Sequence, residues 1–109
     1  IEKADGLVLI GLLPHKGLGL NCGACGFNTC ADFNKASHSG EFHGPNCMIR
    51  ELDLGIALGS AVKTAQMHNV DNRIMYRAGA AAKKLGMMKS NVIMGIPLSV
   101  TGKNIFFDR

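Results

Sequence analysis

Tryptophan is absent from this 109-residue chain, tyrosine occurs once, and only 6% of the residues are aromatic. The basic side chains Arg73, Arg77, Lys83, Lys84 and Lys89 therefore have no rings interleaved among them, which argues against nucleic-acid binding and leaves a solvated basic flank. Long apolar runs are missing too. The nearest, residues 52–62, contains Asp53 and falls well short of the roughly 20 residues a helical membrane span requires. No leader segment is visible at Ile1, where the chain starts without an initiator methionine. Nothing marks secretion, so disulfides rank low, and a cytoplasmic location with reduced thiols is expected. Charge is scarce at 18% against 47% hydrophobic residues, which excludes a disordered chain and fits one domain spanning residues 1–109.

What is present is concentrated. The only four cysteines, Cys22, Cys25, Cys30 and Cys47, follow the pattern C-x2-C-x4-C-x16-C, with three of them in one glycine-rich loop. With none left over, they read as a single four-thiolate metal site. Gly23 and Gly26 free a tight loop to turn three sulfurs inward, whereas Cys47 must arrive from another part of the fold. Cys47 follows Gly44-Pro45-Asn46 and opens a long apolar segment, which places its sulfur near a helix N-terminus, where the backbone dipole favours a thiolate. Structural zinc usually takes two close C-x2-C pairs. A triplet plus a distant single is the logic of iron-sulfur clusters, although the spacing differs from those of bacterial and plant ferredoxins. On the residues alone an iron-sulfur cluster leads, with zinc and then disulfides or free thiols as alternatives. The formal charge of +4 counts the cysteines as neutral thiols, so binding a cluster as thiolates would largely offset it.

The run Cys22-Gly23-Ala24-Cys25-Gly26 through Thr29-Cys30-Ala31-Asp32-Phe33, with Gly44-Pro45-Asn46-Cys47, resembles the 4Fe-4S domain of several anaerobic redox proteins. Asp71-Asn72-Arg73-Ile74, Gly95-Ile96-Pro97-Leu98-Ser99 and Gly102-Lys103-Asn104-Ile105-Phe106-Phe107-Asp108-Arg109 resemble the C-terminal part of an uncharacterized prokaryotic family whose members contain a ferredoxin domain. The likeness spans nearly the whole chain and implies a 4Fe-4S cluster held by Cys22, Cys25, Cys30 and Cys47. It implies little about activity. Members of that family carry an additional N-terminal portion, so the expectation is an N-terminally truncated fragment whose sheet could lack a strand or a covering helix.

Residues 4–13 read as an apolar strand buried on both faces, ended by Pro14. Asn28 or Thr29 caps a short helix over 30–37, with Asp32 in its first turn. The longest helix covers 48–68, with Ile49, Leu52, Ile56 and Val62 along one side. A second helix is predicted over 72–85, capped by Asp71 and ended by Gly86, its Ala78, Ala81 and Ala82 fitting against the longer helix. Residues 91–96 form a second buried strand stopped by Pro97, and 103–109 an extended surface tail anchored by Phe106 and Phe107. These elements make an α/β fold, a small sheet of buried apolar strands flanked by helices, with the glycine-rich cysteine loop at the carboxyl end of the first strand.

The remaining signals are weaker. Gly55 and Gly59, with Ala61 and Ala65, suit tight packing within the domain, with a cofactor or subunit contact as the alternative. His38 and His43, between the third and fourth cysteines, could replace a ligand or carry a proton, but plain surface histidines are the simpler reading. His15 and His68 have no partner visible in the sequence. The methionines read as core filling, Met87 and Met88 among them. Gly17-Leu18-Gly19 lacks the glycine spacing and the lysine-serine pair of a phosphate loop.

The expected function is single-electron transfer by an iron-sulfur protein with a redox partner protein, and the apolar helices favour a homo-oligomer. Two alternatives stand beside it. One makes the chain the cluster-bearing part of a flavin-dependent, nitroreductase-like reductase, on the likeness of the small-residue helices and residues 95–99, with the flavin held elsewhere or at a subunit boundary. The other is a structural four-cysteine zinc domain.

Overall fold

The structure, a computed structural model, describes residues 3–107. The elements run β1 (Gly6–Leu12), α1 (Cys30–Lys35), β2 (His38–Ser39), β3 (His43–Gly44), α2 (Met48–Met67), β4 (Asp71–Asn72), α3 (Tyr76–Lys84) and β5 (Val92–Ser99), closed by a 3-10 turn over Ile105–Phe107. β5 is central in an antiparallel sheet of order β1-β5-β4, while β2 and β3 pair as a separate hairpin. Gly6 faces Leu98 and Leu12 faces Val92 at the two ends of the β1–β5 ladder.

Side chains alternate across a strand, so the two faces of β5 meet different helices. Val92, Met94, Ile96 and Leu98, with Ile10 and Leu12 of β1, pack on Leu54, Leu58, Ala61 and Val62 of α2. On the opposite face Gly95 lies against Ala78, and Gly79 sits so close to Ile93 that an added β-carbon would fall on its carbonyl. Ile93 and Ile96 are fully buried, one toward each helix, and each burial contributes about 1.5–3 kcal/mol. The sheet flanked by helices is the α/β arrangement expected.

Several details differ. β1 is an outer strand, so Leu7 and Val8 are exposed and the strand is not buried on both faces. Among the described residues nothing pairs with its outer edge. β5 continues through Pro97, which lies opposite Leu7. Leu98 O accepts from Asp5 N–H toward β1, whereas Gly95 exchanges both its hydrogen bonds with Met75 on the other side. By alternation the nitrogen of Pro97 points away from β1 into the gap between Met75 and β4, where the ladder needs no donor.

On α2 the packed positions are Leu54 and Leu58, whereas Leu52 and Ile56 are 57% and 70% exposed. The helix carries apolar residues on two sides, and the sheet takes the side holding Leu54, Leu58, Ala61 and Val62. Gly55 and Gly59 face open space, where a β-carbon would meet nothing within 4 Å, so they do not support tight packing inside the domain. The small residues of α3 pack on β5 instead of α2, and Ala81 is exposed.

α3 begins at Tyr76, after Met75, which makes no side-chain cap bond. Asp71 is not a cap: it pairs with Ser99 in β4, and its Oδ2 accepts from Thr101 N–H at 3.0 Å and Thr101 Oγ1–H at 2.8 Å. A distant partner has outcompeted the local one. The end of α3 is as expected, with Gly86 at φ 70° and the N–H groups of Gly86 and Met87 donating to Lys83 O and Ala82 O.

Met88 is half-buried and Met87 exposed, so only the former covers the core. In the tail, Phe106 is buried, while Phe107 is exposed under the Arg73 guanidinium, 4.8 Å from the ring centre. The 3-10 turn replaces the expected extended segment, whose last two residues lie outside the described ones. No helix among the described residues is long and apolar enough to cross a membrane.

Candidate metal centre

The loop after β1 carries three thiols on a backbone that ordinary residues adopt reluctantly. Gly19, Gly23 and Gly26 have φ of 82°, 72° and 93°, and Asn21 has φ 48°. Asn21 Oδ1 accepts from Cys30 N–H at 2.9 Å, which folds the loop back onto the start of α1. Thr29 caps that helix through Oγ1, accepting from Asp32 N–H at 3.1 Å. The glycines were visible in the sequence as loop formers; the left-handed Asn21 was not.

Cys47 enters from the opposite direction as the N-cap residue of the 20-residue helix α2, with no side-chain cap bond of its own. Its sulfur is thus free of the helix amides, at the end where the dipole favours negative charge. The segment before it is tied down by a set of asparagine and backbone bonds. Asn91 N–H donates to Leu12 O at 2.7 Å, and Asn91 O accepts from His43 N–H at 3.0 Å. The Asn91 amide donates to Asn46 Oδ1 at 3.0 Å, and the Asn46 amide in turn donates to His43 O at 2.9 Å. The strand that ends in the cysteine loop and the segment that delivers Cys47 are therefore held to one buried residue.

All four cysteines line one recess, together with Gly17, Leu18, Leu20, Asn21, Phe33 and Met48. Phe33 is buried at its base, with Phe27 edge-on at 6.0 Å and the His15 ring stacked at 6.1 Å. Cys47 is buried, Cys25 and Cys30 are half-buried, and Cys22 is exposed; all four are free thiols. Backbone N–H of Asn21 first, with those of Gly19 and Leu20, holds the Cys30 thiol below its ordinary range, against an opposing effect of burial. Such donors suit a thiolate ligand. Among the described residues no three His, Cys, Asp or Glu side chains converge closely enough to hold one metal ion together.

His38 and His43 lie on the β2–β3 hairpin, and neither lines the recess. His43 Nδ1 is 3.3 Å from Ser39 Oγ. His15, for which the sequence offered no partner, has two. Its Nδ1 lies 2.9 Å from Leu13 O, and its Nε2 accepts from Cys47 N–H at 2.9 Å. Arg73 donates to Phe106 O, Lys83 donates to Ser90 O, and Arg77, Lys83 and Lys84 line a groove against the hairpin.

A small antiparallel α/β domain with a four-cysteine recess outside its first strand defines the class. Residues 43–109 match a family described as "Uncharacterized protein containing a ferredoxin domain", and residues 19–48 match one described as "Putative Fe-S cluster". The chain belongs to the first of these families, and the second match takes in all four cysteines. A protein of Archaeoglobus fulgidus described only as "Uncharacterized protein" is 54% identical over 110 residues, covering all of this chain. The match covers 60% of that relative's length. No solved structure matches the chain.

Proposed function

We propose that the chain binds one 4Fe-4S cluster through Cys22, Cys25, Cys30 and Cys47 and serves single-electron transfer with a protein partner. The observation that carries this reading is the meeting of Cys47, from the start of α2, with the three loop thiols in one recess. The donor set fits the group: four free thiols, backbone N–H around Cys30, and a helix N-terminus at Cys47 all favour thiolates. A single zinc ion needs four sulfurs about 2.3 Å from one point. The triplet-plus-single arrangement of these cysteines, unlike the two close pairs usual for structural zinc, favours an iron-sulfur cluster. When bound, the cluster supplies a one-electron couple.

The chain's own residues supply the rest. Cys22 is exposed beside Leu18 and Leu20, which are exposed as well, so the recess opens through an apolar rim. A partner protein can approach closely there, and Phe33 closes the inner side against water. Residues 95–99, which carry part of the likeness to flavin reductases, lie in the buried central strand and form no part of the recess.

The test is iron, acid-labile sulfide and zinc measured on anaerobically purified protein, followed by dithionite reduction and electron paramagnetic resonance. Iron and sulfide in near-equal amounts, with a signal on reduction, support the proposal. Stoichiometric zinc without sulfide overturns it.

A further inference from the structure

His15 leaves β1 just after Pro14, yet it reaches the fourth cysteine, thirty-two residues further on. Its two ring nitrogens have complementary partners. Leu13 O can only accept, so Nδ1 carries the proton; Cys47 N–H can only donate, so Nε2 is bare. Both partners together select the neutral Nδ1–H tautomer. The ring is also stacked on Phe33, the buried side chain at the base of the recess, which limits its rotation.

We propose that His15 is a positioning residue of the metal centre. It fixes the main chain that delivers the Cys47 thiolate and withholds the Cys47 amide from the sulfur atoms of the bound cluster. This inference rests on the cluster reading above. Hydrogen bonds to cluster sulfur are among the determinants of its reduction potential, since they stabilise the more negative, reduced state. An amide already held by His15 Nε2 makes no such bond, so His15 keeps the potential low. The same contact fixes the ligand that comes from a separate element, the one most exposed to misplacement.

Two substitutions divide the roles of the ring. His15→Asn keeps a donor near the Nδ1 position for Leu13 O but ends short of Cys47. His15→Gln places an acceptor near the Nε2 position and can take the Cys47 amide again. In the reconstituted protein, His15→Asn is expected to raise the midpoint potential, change the electron paramagnetic resonance spectrum and lose iron roughly tenfold faster, the lower end of what removing an outer partner of a metal ligand costs. His15→Gln is expected to stay closest to the unsubstituted protein in all three. In the metal-free protein, nitrogen NMR is expected to show the Nδ1–H tautomer for His15 and slow hydrogen exchange at the Cys47 amide.

Failures of the two ideas look different. Unsubstituted protein without iron and sulfide overturns the cluster reading and this inference with it. Unsubstituted protein that holds its cluster while His15→Asn matches it in potential, spectrum and iron loss overturns the inference alone. An Nε2–H tautomer does the same, and that measurement decides the matter if His15→Asn fails to fold.

Discussion

Gly17 lies against Cys30 so closely that a β-carbon at position 17 would stand 2.8 Å from Cys30 Cβ and 3.1 Å from its sulfur. The loop has little freedom to retreat, because Gly17 N–H donates to Asn34 Oδ1 at 2.8 Å. Gly17→Ala must therefore push Cys30 aside or strain the loop, at a cost of about 1–3 kcal/mol for overpacking. Anaerobically reconstituted Gly17→Ala protein is expected to hold less iron and sulfide per chain than the unsubstituted protein. Equal loading of the two would show that this close approach is not needed.

The four cysteines and the two hairpin histidines make opposite predictions. Serine at Cys22, Cys25, Cys30 or Cys47 replaces a thiolate by a hydroxyl that ionises far less readily, so each single variant is expected to lose most of its cluster. His38→Ala and His43→Ala alter residues outside the recess and are expected to load as the unsubstituted protein does. Iron-to-protein ratios measured side by side check both. A histidine variant that fails to load while a cysteine variant loads fully would reverse the ligand assignment.

The buried glycine of α3 and the two exposed glycines of α2 differ in sign. Gly79 has no room for a β-carbon against the Ile93 carbonyl, so Gly79→Ala is expected to destabilise by at least about 1–3 kcal/mol, the usual range for overpacking. Gly55 and Gly59 sit in open space within a helix, and alanine at either is expected to stabilise by roughly 0.4–1 kcal/mol. Urea unfolding of the single variants measures all three. A loss of stability at Gly55 or Gly59, accompanied by a change in oligomeric state, would instead mark that side of α2 as a subunit contact.

What the sequence disclosed was governed by local chemistry. The cysteine loop, the Thr29 cap and the Gly86 helix end each depend on residues a few positions apart, and each stands where it was expected. The misread features depend on distant partners. Asp71 looked like a helix cap because nothing nearby competed for it, but Thr101 does. Pro97 looked like a strand end because its missing N–H matters only if a neighbour needs it, and at that position none does. α2 offers apolar residues on two sides, so periodicity could not tell which one the sheet would cover. His15 and Asn91 were legible only as single polar residues. Their parts in seating Cys47 come from contacts across thirty-two and forty-five positions of chain.

The hairpin is tied to α3 through Tyr76, and this tie has a pH signature. Tyr76 Oη–H donates to the Glu41 carboxylate, and the Phe42 ring meets Tyr76 edge-on at 5.3 Å. The hydrogen bond to Glu41 first, then burial and the nearby negative charge, raise the Tyr76 pKa above its ordinary value, with Arg77 opposing. In the folded protein the phenol therefore keeps its proton to higher pH than in the unfolded chain. The stabilisation it brings is complete below the unfolded value of about 10 and is lost as pH rises through the higher folded value. Tyr76 is the only tyrosine and there is no tryptophan, so phenolate absorbance reports this one group. The titration midpoint is expected to lie above that of a free tyrosine and to fall back in Glu41→Gln, where the charge is gone. An ordinary midpoint in the unsubstituted protein would mean that the hairpin does not rest on α3 through this bond.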